Sequence, residues 1–236
     1  MENDKSIKYL KLLQWNCHGL LSKRDEIMRH FESFDILFIC ESWLTSDALF
    51  EIPFRKIVRR DSIKSKSSGL CFIVREDIPY EKIETVFCSE GSLDTLAIQI
   101  TSPSGPLTLV SVYRHPDSNT YISDWRKLFD SEFGSQEVLI VGDFNSHNPK
   151  WGGTKMDAHG DSLAKTVEEF NFALLNDGSP TRICNPKFKI SAIDLSFVTP
   201  SIFSSCSWRV LEDSFNSDHY PIEICINHCF YISPRF

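Results

Sequence analysis

An acid and an amide stand directly after the most apolar stretch of the chain, where their chemistry would suit a cation or an attacking water. Residues 138–141, Val-Leu-Ile-Val, run straight into Gly142, Asp143, Phe144 and Asn145. A short apolar run predicts a buried strand, and open α/β sheets bind ligands outside their strand ends. Asp143 is therefore a candidate metal ligand or base, and Asn145 a candidate hydrogen-bonding group. The alternative is an Asx turn, in which Asp143 caps its own backbone.

Polar side chains mark the ends of several other predicted strands. If these strands belong to one sheet system, their side chains converge at one rim. Two or three carboxylates with amides suit a hard divalent cation such as Mg²⁺, which prefers oxygen ligands. One histidine beside an acid suits orientation or protonation chemistry. The further candidates are Asn16, Glu41, Tyr113, Asp194, Asp218 and His219.

Strands and helices alternate along the chain, without an internal repeat or a linker rich in Pro, Gly or Ser. This pattern predicts one α/β domain over residues 9–228, with short tails at 1–8 and 229–236. Helices are predicted to open at Ser22, to cover 122–133, and to follow Asp161 as an N-cap. The predicted strands are 9–15, 35–40, 69–74, 96–101, 107–113, 138–141, 193–198 and 222–226.

The composition argues against several classes of protein. The 236 residues are 42% hydrophobic, enough for a core, and no stretch reaches the length that spans a membrane. The eight cysteines include no CxxC pair, which argues against a zinc ribbon. The polar N-terminus carries no signal-peptide core, so we expect an intracellular, reducing location with free thiols. Neither a phosphate-binding GxxxxGK[ST] loop nor a nucleophile elbow is present.

Two basic stretches interrupt a chain whose net charge is −7. Residues 55–66 contain six basic residues and one acid, and the stretch 182–189 contains Arg182, Lys187 and Lys189 without an acid. Such blocks are usually solvated faces. They would favour a polyanionic partner only if they border the acid-bearing strand ends.

Six short motifs in order make the sequence resemble the endonuclease/exonuclease/phosphatase superfamily, which includes pancreatic DNase-type enzymes and apurinic repair endonucleases. Within that superfamily it is most similar to the endonuclease domains of non-LTR (LINE-type) retrotransposons of arthropods, and the phrase at 148–153 favours that branch. The motifs are Gln14-Trp15-Asn16, Cys40-Glu41-Ser42-Trp43, Ser111-Val112-Tyr113-Arg114, Gly142-Asp143-Phe144-Asn145, Ser191-Ala192-Ile193-Asp194 and Ser217-Asp218-His219-Tyr220-Pro221.

The resemblance implies a four-layer α/β sandwich of two packed mixed or antiparallel sheets with helices outside. It implies that Glu41 is the main Mg²⁺ ligand, with Mn²⁺ a possible substitute, and that Asn16 and Asp218 lie on the metal side. Asp143 would orient or deprotonate the attacking water, and His219, held by Asp194, would face the scissile phosphate. Asn145 would contact phosphate or the metal, and further phosphate contacts would come from Tyr113, Arg114, Thr181 and Ser217.

The resemblance also implies a partner and a setting. The substrate would be double-stranded DNA, nicked for retrotransposition, so the protein would act in the nucleus, without a membrane. Retrotransposon endonucleases of this type precede a reverse transcriptase domain on a longer polyprotein, so this chain is expected to be a fragment or remnant of one. The alternatives are a phosphatase of the same fold acting on a small phosphorylated molecule, and an element remnant that folds but does not cut.

Three finer expectations follow. His219 and Asp194 should be hydrogen-bonded, and His219 and Asp143 should lie at a solvent-open rim. Arg182, Lys187 and Lys189, with Phe188 at the tip, should form a loop that probes the DNA groove. His18 stands where repair enzymes tend to carry an acid, which argues against a repair-type metal shell.

Overall fold

Two six-stranded sheets form the centre of the protein. The structure is a computed structural model, and it describes residues 6–61, 68–84, 92–102, 105–130, 137–183, 191–228 and 230–232. One sheet has the order β12-β13-β2-β3-β5-β4, and the other has the order β10-β11-β9-β8-β7-β6. Only β2–β3 and β8–β9 pair in parallel within these two sheets. The strands are β1 Ser6–Ile7, β2 Leu10–Asn16, β3 Ile36–Cys40, β4 Arg55–Arg60, β5 Leu70–Arg75, β6 Tyr80–Ile83, β7 Leu93–Ser102, β8 Gly105–Arg114, β9 Glu137–Asp143, β10 Ala173–Leu174, β11 Asp194–Val198, β12 Cys206–Val210, β13 Ile222–Ile226 and β14 Phe230–Tyr231.

The layers follow from the alternation of side chains along buried strands. In β2, Leu12 packs into the core between the two sheets, whereas its neighbour Leu13 packs into the core on the opposite face. The outer core of the first sheet contains residues of α1, and that of the second contains residues of α2 and α3. The predicted four-layer sandwich is therefore confirmed.

The helices differ from the predicted ones at their ends. In the ranges that the structure describes, the α-helices are α1 Arg24–His30, α2 Ile122–Phe129, α3 Ala158–Glu169 and α4 Pro200–Phe203. A 3₁₀ turn over 20–23 precedes α1, so the α-helix begins two residues after Ser22. The N-cap of α3 is Asp157, whose carboxylate accepts a hydrogen bond from the Gly160 N–H. Asp161, predicted as the cap, instead pairs with Lys165 on the first turns of the helix.

Both expected tails contribute to the fold. β1 pairs antiparallel with β14, and the Phe230 side chain is buried in the core between the sheets. These two strands lie outside the predicted limits of 9 and 228. In the described part of the chain, no helix has the length and apolar character needed to cross a membrane.

The strand registers bring the candidate residues to one rim. In the first sheet Asn16 pairs with Cys40, directly before Glu41. In the second sheet Asp143 pairs with Tyr113 on one side and with Asp194 on the other. The buried Gln14 fastens the sheets together below the rim, because its Nε2 donates to the Gly142 carbonyl and its Oε1 accepts from Ser196 Oγ.

Gly142 is the position at which the rim is least tolerant of a side chain. Its φ is +154°, and a Cβ there would lie 1.8 Å from the Val112 carbonyl oxygen of the neighbouring strand. We expect Gly142→Ala to lower the free energy of unfolding by about 3 kcal/mol, because the clash is with backbone. The matched control is Gly105→Ala, whose φ is +131° but whose Cβ meets nothing within 4 Å. Equal urea denaturation midpoints for the two variants would contradict the steric argument.

Candidate active site

A buried imidazole between two carboxylates forms the centre of the rim. His219 Nδ1 lies 2.8 Å from Asp194 Oδ2, and His219 Nε2 lies 3.8 Å from Asp143 Oδ2. The predicted His219–Asp194 pair is therefore present, although the two residues are 25 positions apart. The expectation of a solvent-open position is wrong for this centre, since His219 and Asp143 are only 3% and 1% exposed.

The electrostatics of this centre favour a protonated histidine. Burial by itself lowers the pKa of His219, but the carboxylates of Asp194 and Asp143 raise it to about 9. Burial and the neighbouring Asp194 raise the pKa of Asp143 above its ordinary value, while His219, the Asn145 N–H and Asn16 act in the opposite direction. The imidazole therefore carries a proton near neutral pH, and Asp143 binds a proton more readily than an ordinary aspartate.

Two hydroxyl groups that were predicted to contact phosphate support this centre. Thr181 Oγ1 donates to Asp194 Oδ2 at 2.7 Å, and Thr181 is fully buried. Ser217 Oγ donates to the Asn16 carbonyl at 2.7 Å and accepts from the His219 N–H. Since each hydroxyl proton goes to an internal acceptor, both residues position the centre, and their contact with phosphate stays a prediction.

Asn16 connects the two sheets at the rim. Its Nδ2 donates to Glu41 Oε1 at 2.9 Å and to Asp143 Oδ2 at 3.0 Å, so one amide holds carboxylates of both sheets. Tyr113 OH donates to the same Glu41 oxygen at 3.0 Å. Burial and the charges of Glu41 and Asp143 raise the pKa of Tyr113, so the hydroxyl remains a donor. Asn16 was predicted on the metal side, but here its amide N–H group, rather than its oxygen, faces the acids.

The remaining oxygens of Glu41 and Asp218 fit a hard cation. Glu41 Oε2 lies 3.8 Å from His18 Nδ1, and Asp218 Oδ1 lies 3.4 Å from the same nitrogen. Arg182 donates to Asp218 Oδ2, and within the described part of the chain Asp218 Oδ1 is buried without a hydrogen bond. A buried carboxylate oxygen that lacks a hydrogen bond is the type of donor that Mg²⁺ or Mn²⁺ takes.

The centre itself is a second place where a cation could bind. Among the described residues, Asp143, Asp194 and His219 are the group whose ligand atoms all lie within 4.8 Å of one another. Because Asp194 and the His219 imidazole already engage each other at 2.8 Å, this group is better matched to a proton than to a metal ion.

The backbone is strained where the rim turns. His18, Glu41 and Asn145 all adopt positive φ, at 53°, 52° and 43°, although none is a glycine. Such conformations persist only when the surrounding structure enforces them, and they cluster at functional sites. At Asn145 the predicted Asx turn also exists, since Asp143 Oδ1 accepts from the Asn145 N–H at 2.9 Å. Asp143 therefore uses one oxygen for the turn and the other for the site.

The arginine that follows Tyr113 does not contact the rim surface. Arg114 is 2% exposed, and its guanidinium donates to the Asn145 carbonyl, the Ser118 carbonyl and Thr120 Oγ1. Asn145 Nδ2 donates back to the Arg114 carbonyl. The prediction that Arg114 contacts phosphate is wrong for this reason, because all its donors face inward and stabilise the Asn145 loop.

Of the described residues of the basic block 55–66, those at one end border the site. Arg55 begins β4 far from the rim and donates to the carbonyls of Glu32, Phe34 and Asp35. Arg60 ends β4 at the rim, 3.9 Å from Asp94, which pairs with Tyr113 in the sheet. The expected polyanion-binding face is thus reduced to Arg60 among the described basic residues of this block. Some of the predictions concern residues outside the described part of the chain. These residues are Phe133, Lys64 and Lys66 of the basic block, and 187–190 of the predicted DNA-probing loop.

Sequence reasoning missed the polar side chains that hold the rim from below and beside it. Trp15 Nε1 donates to the His219 carbonyl, and Ser196 links Gln14 to Trp208 Nε1. Polar residues inside the apolar strands were the available signal, since a buried polar group needs a partner. A further pair, His147 and Asp157, gave no signal in the sequence because its members come together only through a loop.

The chain is similar to known proteins over nearly its whole length. A family model described as endonuclease–reverse transcriptase matches residues 107–223. The RNA-directed DNA polymerase from mobile element jockey of Drosophila funebris is 25% identical over 219 residues, 90% of this chain and 23% of that protein. The probable RNA-directed DNA polymerase from transposon BS of Drosophila melanogaster is 25% identical over 92% of this chain and 24% of its own length. The chain thus spans about a quarter of these curated relatives.

Solved structures share the fold. The endonuclease domain of TRAS1, a telomere-specific non-LTR retrotransposon, superposes with a TM-score of 0.76 at 22% identity, over 93% of this chain and 99% of that one. The AP endonuclease LMAP from Leishmania major gives a TM-score of 0.72 at 15% identity, over 94% of this chain and 88% of that one. The two packed mixed sheets of this chain are therefore of the DNase-like type.

Proposed function

Since this chain belongs to the endonuclease/exonuclease/phosphatase superfamily, we propose that it is a divalent-metal-dependent endonuclease that hydrolyses phosphodiester bonds in double-stranded DNA. The observation that carries the proposal is the buried His219, held between Asp194 and Asp143 beside the carboxylate of Glu41. It combines a proton-bearing group, a carboxylate base and cation ligands at one rim, which are the groups that phosphodiester hydrolysis needs.

Each side chain at the centre of the rim has its own role in the proposed reaction. His219, protonated near neutral pH, places its Nε2–H toward the phosphate oxygens, where negative charge develops in the transition state. Asp194 fixes the ring through Nδ1 and stabilises the charged form. Asp143, whose raised pKa makes it a better base than an ordinary aspartate, orients the attacking water and accepts its proton. Asn16 keeps Asp143 aligned with Glu41.

Glu41 Oε2 and Asp218 Oδ1 would hold the cation, which we propose to be Mg²⁺ with Mn²⁺ as a substitute. When bound, the cation supplies charge stabilisation for the phosphate and for the leaving oxygen. Tyr113 and Asn16 meanwhile orient the Glu41 carboxylate through its other oxygen. Arg182 does the same for Asp218.

The biological setting is a further proposal. The two curated relatives are named RNA-directed DNA polymerases of mobile elements, and each is about four times as long as this chain. We therefore propose that the endonuclease nicks target DNA for a reverse transcriptase domain of the same polyprotein. Its substrate is chromosomal, so it acts in the nucleus.

Nicking of supercoiled plasmid, compared with hydrolysis of a small phosphate monoester, tests the proposed activity. We expect nicking with Mg²⁺ or Mn²⁺, loss of nicking in excess chelator, and no turnover of the monoester. Turnover of the monoester alone would establish the phosphatase alternative. Absence of both activities with every cation tried would establish a silent remnant, and unchanged nicking in chelator would reject the metal requirement.

The charge state of His219 gives a prediction that does not depend on activity. Because its pKa is raised to about 9, the imidazole should remain protonated at pH 8, where an ordinary histidine is neutral. Its contribution to folding stability is complete below pH ~6.5 and is lost as the pH rises through about 9. Titration of the histidine C–H resonances by NMR, with His219→Asn for assignment, measures this. A midpoint at or below that of exposed His30 would contradict the proposed charge.

A further inference from the structure

A second histidine–carboxylate pair lies on the rim beside the candidate active site. His147 Nδ1 is 2.9 Å from Asp157 Oδ2, and His147 Nε2 is 3.5 Å from Ser191 Oγ. The side chains of His147 and Asp157 are 43% and 38% exposed, whereas Ser191 is buried. These three residues, which we call the rim triad, have no part in the reaction steps above.

The rim triad is held rigidly. The His147 N–H donates to Asp157 Oδ2, and the Asp157 N–H donates back to the His147 carbonyl, both at 3.0 Å. Gly160 packs so closely that a Cβ there would lie 2.0 Å from the His147 carbonyl oxygen. Capping of α3 explains why an aspartate stands at position 157, since its Oδ1 accepts a hydrogen bond from the Gly160 N–H. It does not explain why Asp157 Oδ2 also directs an imidazole toward Ser191.

The position of the rim triad relates it to the reacting centre. His147 follows Asn145 by two residues, and the Ser191 carbonyl accepts from the N–H groups of Thr181 and Arg182. Arg182 bridges to Ser191 on one side and to His219 on the other. Since neighbouring strands lie about 4.8 Å apart, Ser191 is roughly 10 Å from His219 along the rim. That span corresponds to about three nucleotides of a DNA strand, which advances about 3.4 Å per nucleotide.

The geometry suits an anion better than a chemical reaction. At 3.5 Å the Ser191–His147 contact is at the outer limit of a hydrogen bond, so both groups can still engage a third partner. An imidazole whose Nδ1–H is fixed by a carboxylate can carry a second proton on Nε2 and donate it. A hydrolytic Ser-His-Asp site would need N–H donors aimed at an oxyanion. The N–H groups of Thr181 and Arg182, which lie beside Ser191, are already donated to its carbonyl.

We propose that the rim triad binds a backbone phosphate of the DNA substrate within about three nucleotides of the scissile one. His147 Nε2 and Ser191 Oγ donate to a non-bridging phosphate oxygen, and Asp157 orients the ring. The contact positions the duplex and carries no sequence information of its own. This inference rests on the proposed function, because it takes the rim to be the DNA-binding face.

Duplex binding in chelator tests the proposal without any cleavage. We expect His147→Ala to bind a short duplex roughly tenfold more weakly, the effect of losing a hydrogen bond to a charged group. The slope of log affinity against log salt should also fall by about one unit, as for one lost phosphate contact. The matched control is His30→Ala, which removes a 48% exposed histidine paired with Glu26 on helix α1. Equal affinities and slopes for the two variants would overturn the proposal.

A chemical double-mutant cycle locates the contact. Single neutral methylphosphonates are placed at successive positions beside the nick site, and binding is measured for the wild type, His147→Ala and Ser191→Ala. We expect one position whose neutralisation weakens wild-type binding but leaves both variants unaffected, since the partner is already missing. Because Ser191→Ala leaves the Asp157–His147 pair in place, it serves if His147→Ala does not fold. Additive effects at every position would reject the contact.

Failure of the inference and failure of the proposed function are distinguishable. Wild-type protein that binds duplex through the rim triad but nicks nothing with any cation would refute the endonuclease activity alone. Wild-type protein that nicks plasmid while His147→Ala and His30→Ala bind DNA alike would refute the rim triad alone.

Discussion

His219→Gln should nick plasmid at least about 10²-fold more slowly than the wild type. The imidazolium would be missing from a site where a preorganised donor acts on the charge of the transition state, and such donors are typically worth 10²–10³-fold. The substitution should also destabilise the fold, because Asp143 and Asp194 lose the buried imidazolium that lies between them. Removing one member of a buried ion pair costs about 3 kcal/mol or more.

The control for His219→Gln is His30→Gln, which changes an exposed histidine on helix α1. Nicking is compared at a temperature at which circular dichroism shows both variants folded. A folded His219→Gln protein that nicks at the wild-type rate would show that this histidine is structural. The expected loss of stability follows from burial, whereas the sequence had placed His219 and Asp143 at a solvent-open rim.

Glu41→Gln should abolish nicking by a different route, with a loss of at least about 10²-fold and little change in folding. Glutamine keeps an oxygen that can accept from Asn16 and Tyr113, so the local hydrogen bonds remain possible. It replaces the oxygen facing His18 and Asp218 with an N–H₂ group, which cannot ligate a cation. Binding of Mn²⁺, followed by the electron paramagnetic resonance signal of the free ion, should weaken by at least about tenfold.

Glu223→Gln is the matched control for Glu41→Gln. Both carboxylates are nearly buried in the same sheet, with side chains 14% and 11% exposed, but Glu223 pairs with Lys11 and Arg209 away from the rim. We expect Glu223→Gln to lose stability and to keep both Mn²⁺ binding and nicking. Mn²⁺ binding by Glu41→Gln equal to that of the control would remove Glu41 from the cation site.

The sequence predicted the rim because its signals are local. Asn16, Glu41 and Asp143 each follow an apolar run directly, so the strand and the functional side chain are read from the same few residues. The resemblance added the pairing of Asp194 with His219, which spacing alone does not give. The helix ends were less well predicted, since Asp157 and Asp161 are equally good caps until packing selects one.

What the sequence did not predict depends on where a charged group points. Arg114 and Arg55 have the same composition signal as a DNA-binding arginine, but both turn inward to satisfy backbone carbonyls. The hydroxyl groups of Thr181 and Ser217 likewise donate to acceptors inside the protein. The orientation of such groups is decided by which buried acceptors lack partners, and that is a property of the assembled sheets.

The distribution of the site along the chain has a consequence for synthesis. The rim needs Asn16 on β2, and β2 lies between β3 and β13, a strand that begins only at Ile222. His219 lies just before β13 in the sequence, so the ribosome must have translated β13 before the reacting groups can meet. A gene copy that is interrupted upstream of β13 would encode a chain without a complete site. Such a chain would be inert rather than less active. The proposed cutting activity is thereby tied to an uninterrupted reading frame from β2 to β13.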